Sequence, residues 1–107
     1  MVRADFVEVI VTYPSKEEAR KAAKLLMEGL YAACVQIYGP VESTYWWKGK
    51  VESSPEWVLT AKTKRRVYKE LERVIKRTHP YDVPQIIALP IIDGLKEYLD
   101  WIDREVR

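Results

Sequence analysis

One histidine and one cysteine, His79 and Cys34, are the residues in this chain best suited to soft-metal or nucleophile chemistry. His79 opens the segment His79-Pro80-Tyr81-Asp82-Val83-Pro84, in which two prolines remove backbone freedom on both sides of a tyrosine. A joint of this stiffness can present an imidazole to a ligand, or it can simply end a helix. As a ligand, a neutral imidazole suits copper or another divalent cation, with a carboxylate such as Asp82 or a neighbouring subunit's Glu52 as helper. As an architectural residue, a protonated histidine at a helix C-terminus is favoured by the dipole, by up to about 2 kcal/mol when partly buried. Pro80 then stops the helix. Cys34 has two readings as well. A small thiol at a strand start is commonly core. It becomes reactive where a cation lowers its pKa, and Lys62, Lys64 and Arg65 are the candidates to do so. The chain has no nucleophile-elbow glycine pattern, no phosphate-cradling glycine loop and no second histidine to act as base, so a non-enzymatic role is expected.

The elements that must position these residues follow from periodicity. A β-branched and aromatic run over Phe6–Tyr13 reads as a buried strand, stopped by Pro14. Ser15 and Glu18 form a capping box for a helix whose inward stripe is Ala19, Ala22, Ala23, Leu26 and Leu30, with Gly29 near its end. A second strand is expected over 33–47, disturbed at Gly39-Pro40, followed by a turn at Lys48-Gly49-Lys50 and a third strand over 51–63. A helix over 65–78 carries Val67, Leu71, Val74, Ile75 and Thr78 inward. A fourth strand covers 85–91, and a last helix turns Leu95, Tyr98, Leu99, Ile102 and Val106 inward. The order βαββαβα across residues 1–107 predicts a single α+β domain. Its plan is ferredoxin-like, a four-stranded antiparallel sheet with an extra C-terminal helix and a long hairpin between the second and third strands.

That plan has a consequence for the chemistry. The first strand ends, the second helix ends and the fourth strand begins at one edge of the sheet, so Tyr13, the hairpin tip and His79 to Tyr81 should gather there. Cys34 starts the second strand at the other edge, about 20 Å away. Within one protomer the thiol and the imidazole are not expected to share an ion.

Composition narrows the partners. The 107 residues include 18 Lys and Arg against 16 Asp and Glu, a net charge of +2 that supplies no broad field for nucleic acid or membrane. A single cysteine excludes an internal disulfide and fits a reducing compartment. No apolar run is long enough to span a bilayer, and Asp5 interrupts the first apolar stretch against a secretory signal. The expected location is cytoplasmic. Asparagine is absent and glutamine occurs only at Gln36 and Gln85, the direction of a thermophile's composition. The expected hairpin, roughly 45 Å long at ~3.3 Å per residue, outreaches a domain of about 13 Å radius of gyration. Its distal part carries Tyr45, Trp46 and Trp47, which predicts that another subunit covers it. RNA-recognition modules share the strand order but place paired aromatics on the central strands, which this chain lacks.

Ala32-Ala33-Cys34-Val35, Tyr45-Trp46-Trp47-Lys48-Gly49-Lys50, Lys62-Thr63, His79-Pro80-Tyr81-Asp82-Val83-Pro84 and Tyr98-Leu99-Asp100-Trp101 occur in the order and spacing of the CutA family of divalent-cation tolerance proteins, which the chain resembles over nearly its whole length. The resemblance implies a tight homotrimer similar in assembly to the PII signalling proteins, and a cytoplasmic role in tolerance of copper and other divalent ions. Where some copper-binding bacterial members carry a cysteine and a second histidine, this chain has Val11 and Thr78, which implies modest copper affinity. An alternative is a PII-like sensor or adaptor that binds a small anion or nucleotide in clefts between subunits, with Lys62, Tyr81 and Trp46 as pocket residues.

Overall fold

Alternation along the first strand fixes the architecture. In β1 (Phe6–Tyr13), Val7, Val9, Val11 and Tyr13 are all buried on one face, as a two-residue period requires when that face meets a helical layer. The layer is α1 (Lys16–Glu28) and α2 (Tyr68–Thr78), which bring Ala19, Ala22, Leu26, Leu71, Val74 and Ile75 into the same core. The computed structural model describes residues 4–107. The remaining elements are β2 (Cys34–Trp47), β3 (Lys50–Lys64), a 3-10 turn at Arg65–Val67, β4 (Ile86–Pro90) and α3 (Lys96–Glu105). The sheet order is β2-β3-β1-β4, with every pairing antiparallel, and this is the ferredoxin-like plan expected from the element order.

The helix ends show why local sequence works as it does. Ser15 Oγ accepts the Glu18 N–H at 3.2 Å, the capping half of the box. At the other end of α1 the chain closes in a Schellman motif, with Tyr31 N–H to the Leu26 carbonyl at 2.9 Å and Leu30 N–H to Met27 at 3.1 Å. The left-handed residue of that motif is Leu30, at φ 60°, rather than Gly29. Gly29 is required for a different reason: a Cβ there would lie 2.3 Å from the Tyr31 ring. Leu30 is consequently exposed and leaves the inward stripe expected for α1.

Other expectations are also corrected. Thr78 faces outward, its hydroxyl donating to the Val74 carbonyl one turn back. The second helix begins as a tight 3-10 turn, so its α-helical part starts at Tyr68. In α3, Ile102 and Val106 pack with Ala33 and Val67 in a second small core, but Leu95 and Tyr98 stay exposed in the protomer.

The hairpin is as long as expected. Its 14- and 15-residue strands give the protomer a longest extent of 44 Å and a radius of gyration of 14.4 Å. Lys48 at φ 51° and Gly49 at φ 78° make the two-residue turn whose twist suits a hairpin. The register jumps between Tyr38↔Val58 and Val41↔Glu56, so Gly39 and Pro40 both stand opposite Trp57 as a bulge. Beyond it the strands leave the sheet, and Trp46 is 75% exposed. On the side of the sheet away from the main core, Tyr38, Ile87 and Leu89 are also exposed.

Leu30→Gly relieves an unfavourable backbone conformation at an exposed site. It is expected to raise stability by roughly 0.5–1 kcal/mol despite the freer unfolded chain. Urea denaturation measures this; an unchanged or lower midpoint would contradict the assignment of Leu30 as the left-handed cap.

Candidate functional site

α2 ends at His79 because its backbone turns extended, φ −74° and ψ 140°, the conformation favoured before a proline. Its N–H still closes the last helical turn on the Ile75 carbonyl at 2.8 Å. The side chain then turns back to the end of β1. Nε2 lies 2.7 Å from the Thr12 carbonyl oxygen, and Nδ1 accepts the Tyr81 backbone N–H at 3.0 Å. These partners determine the tautomer. A carbonyl can only accept, so Nε2 carries the proton; a backbone N–H can only donate, so Nδ1 offers its lone pair. The ring is neutral, stacks on Tyr13 at 4.4 Å between centroids and leans on Tyr81 at 4.9 Å.

This geometry bears on both readings of His79. It is not a dipole-stabilised imidazolium, since protonation would set an Nδ1–H against the Tyr81 N–H. Burial holds its pKa below the usual histidine value, opposed by the Thr12 hydrogen bond and by Glu18 and Glu56, with Lys76 adding to the lowering. Nor does it keep a lone pair open for copper: Nε2 bears the hydrogen and Nδ1 is engaged. No group of three or more His, Cys, Asp or Glu able to hold one ion occurs among the described residues. Asp82 is exposed, and its backbone carbonyl receives Lys76 Nζ at 2.8 Å.

Tyr81 extends the joint to the root of the hairpin. Its hydroxyl donates to Glu56 Oε2 at 2.9 Å. Burial, that bond, and the nearby Glu56 and Tyr45 push its phenol up to about 12. Tyr13 Oη is enclosed with no partner among the described residues, and burial beside Glu18 raises its pKa strongly. The edge of the sheet therefore gathers Thr12, Tyr13, Glu56, His79 and Tyr81. The hairpin tip does not join them. Tyr13 pairs with Trp57, and Lys50 lies seven residues further out, about 23 Å along the strand.

Lys62, Tyr81 and Trp46 do not form one pocket in the protomer. Lys62 pairs with Glu8 and Cys34 near one end of β3, Tyr81 reaches β3 at Glu56, and Trp46 pairs with Val51 towards the tip. Lys62 and Val51 are eleven residues apart, roughly 36 Å along the strand. Lys62 Nζ is held by Glu8 Oε2 at 2.9 Å and Gln36 Oε1 at 2.8 Å. With Tyr98, Leu89 and Leu99 these two charges line a shallow depression of about 360 Å³. Cys34 is half-buried opposite Lys62 and belongs to neither core cluster. It is about 16 Å along the strands from the level of Tyr13, so thiol and imidazole are separated as the topology required. Two residues of these sites escaped sequence reasoning. Glu8 was detectable, since placing Lys62 opposite Glu8 needs only the strand register; Glu56 gave no comparable signal.

The neutral tautomer gives a sign to the pH dependence. A histidine whose folded pKa lies below its unfolded value of 6.5 stabilises fully above that value and progressively less as pH falls beneath it. Stability should therefore decline from about pH 6.5 downwards, with a slope of up to ~1.4 kcal/mol per pH unit. His79→Phe, which keeps a ring but cannot titrate, should remove that slope. Denaturant titrations from pH 7.5 to 5 decide this, and an identical slope in the variant would refute it.

Comparison with known proteins places the chain in a family. The family model described as CutA1 divalent ion tolerance protein matches residues 7–105. The divalent-cation tolerance protein CutA of Archaeoglobus fulgidus is 45% identical over 98 residues, covering 92% of this chain and 95% of that one. Its counterpart in Thermus thermophilus is 46% identical over 94 residues, covering 88% and 91%. Among solved structures, the A. fulgidus protein, described as periplasmic, superposes with a TM-score of 0.92 at 43% identity, over 95% of this chain and 99% of that one. CutA1 from Oryza sativa gives 0.94 at 39% identity, over 97% and 95%. With the match running through both cores, the hairpin and the His79 joint, the chain belongs to the CutA1 divalent ion tolerance family.

Proposed function

We propose that this chain serves tolerance of copper and other divalent cations as a homotrimer in the cytoplasm, without catalysing a reaction and with at most weak metal binding at His79. The observation that carries this reading is the imidazole whose two nitrogens are both hydrogen-bonded to backbone. A metal would have to break the Tyr81 bond to reach Nδ1, and it would find no second soft ligand at Val11 or Thr78. The exposed tryptophans of the hairpin and the half-apolar side of the sheet support assembly, because surfaces of this kind favour a partner over water. The single cysteine, which has no disulfide partner in the chain, supports a reducing compartment.

A second reading, a PII-like sensor that takes a small anion or nucleotide between subunits, draws on the depression beside Lys62. Glu8 already neutralises that lysine, so a phosphate would have to displace a 2.9 Å ion pair. The tolerance reading is therefore preferred.

Calorimetry with Cu²⁺ and Zn²⁺ on the wild type and on His79→Ala checks the metal half of the proposal. Heats no stronger than weak binding, and unchanged by the substitution, are expected; a micromolar site lost in the variant would overturn it. Light scattering checks the assembly. A mass near three times the 12.6 kDa of the chain is expected, and 12.6 kDa itself would sink the trimer.

A further inference from the structure

Among the described residues, two of formal charge are buried, Lys64 at 6% exposure and Glu56 at 8%. They are treated differently. Lys64 Nζ meets the Asp103 carboxylate at 3.3 Å and the Asp103 carbonyl at 3.1 Å, so its charge is compensated. Glu56 receives only the Tyr81 hydroxyl, on Oε2. None of the ion pairs among the described residues includes it. Oε1 has no hydrogen-bond partner there, yet it is not one of the fully enclosed orphan oxygens, so it still opens towards the surface. A buried carboxylate is expensive without a compensating cation. Its surroundings are aromatic: Tyr81 bonds to it, and Tyr45, four pairs further along on the same side of the hairpin, reaches back so that its hydroxyl lies 3.2 Å from Ser54 Oγ, two residues from Glu56.

We propose that Glu56, with Tyr81 and Tyr45, is a binding site for an N–H-bearing organic cation, an ammonium or guanidinium group supplied from outside the protomer. The carboxylate oxygen accepts the N–H, and the phenol oxygens of Tyr81 and Tyr45 can accept further N–H groups. A metal ion fits less well. It wants several oxygen or soft donors converging, and the described residues contain no such group. The site is separate from the His79 nitrogens and does not depend on any role in metal tolerance. The cation can come from a free amine or from a Lys or Arg of a second copy of this chain, and the two sources are separable.

The experiment follows amide shifts of ¹⁵N-labelled protein during titration with n-butylammonium and methylguanidinium chloride. Tetramethylammonium chloride, which has no N–H, is the control at matched ionic strength. The same protein is diluted under light scattering. Both measurements are repeated on Glu56→Gln, which keeps volume and an acceptor for Tyr81. A free-amine site predicts saturable shifts at Tyr81 and Glu56 with the N–H cations alone, weakened at least tenfold by the substitution. A site completed by a second copy predicts no saturable shifts in the wild type, and an assembly that dissociates at a protein concentration at least tenfold higher in Glu56→Gln. If neither readout changes in the variant, or if tetramethylammonium binds as well as butylammonium, the proposal is wrong. Should Glu56→Gln not fold, Glu56→Asp retracts the carboxylate by one methylene and carries both readouts with the same expected direction.

Discussion

The hydrogen bond from His79 Nε2 to the Thr12 carbonyl, 2.7 Å long and buried, ties the end of α2 to the end of β1. Thr12 lies where β1 is about to give way to Pro14, and its carbonyl would otherwise face the interior with no assured donor. One ring satisfies that acceptor and the first free N–H past the helix, and it fills the space between Tyr13 and Tyr81. The path from α2 to β4 is thereby fixed, and Tyr81 is delivered to Glu56 at the root of the hairpin. Helix, central strand and projecting ribbon share a single corner.

That corner engages both nitrogens of the chain's one histidine. The lone pair that a metal would need is the one that orders Tyr81. The opposite end of the sheet is organised on different terms. There Lys62, Glu8 and Gln36 satisfy one another across three neighbouring strands, with Cys34 and Tyr98 alongside. The described residues thus include two polar clusters at two ends of one sheet, with largely apolar rows of β1 and β3 running between them.

Much of this was legible in the residues. Alternation in Phe6–Tyr13, the capping box at Ser15, the disturbance at Gly39-Pro40 and the stop at Pro80 each express a local rule, and each element appears where that rule puts it. The separation of Cys34 from His79 followed from topology alone. What was not legible depends on side chains meeting across the fold. The left-handed cap falls on Leu30, and the glycine beside it answers to the Tyr31 ring instead, a contact that no propensity encodes. The inward stripe expected for α3 failed at Leu95 and Tyr98 because amphipathic spacing cannot distinguish a face buried in the protomer from one left uncovered. The state of His79 turned on a backbone carbonyl sixty-seven residues away. Helix dipole arguments favour an imidazolium at a C-terminus, but here burial and an incoming N–H outweigh the dipole.

His79 is a neutral corner residue with both ring nitrogens hydrogen-bonded. Long-range ¹H–¹⁵N correlation of the imidazole at pH 7.5, with and without equimolar Zn²⁺, tests it most directly. One Nε2–H tautomer, a slowly exchanging Nε2 proton, and ring nitrogen shifts unmoved by zinc are expected. An Nδ1–H tautomer, an imidazolium, or a zinc-dependent shift of either ring nitrogen would contradict it.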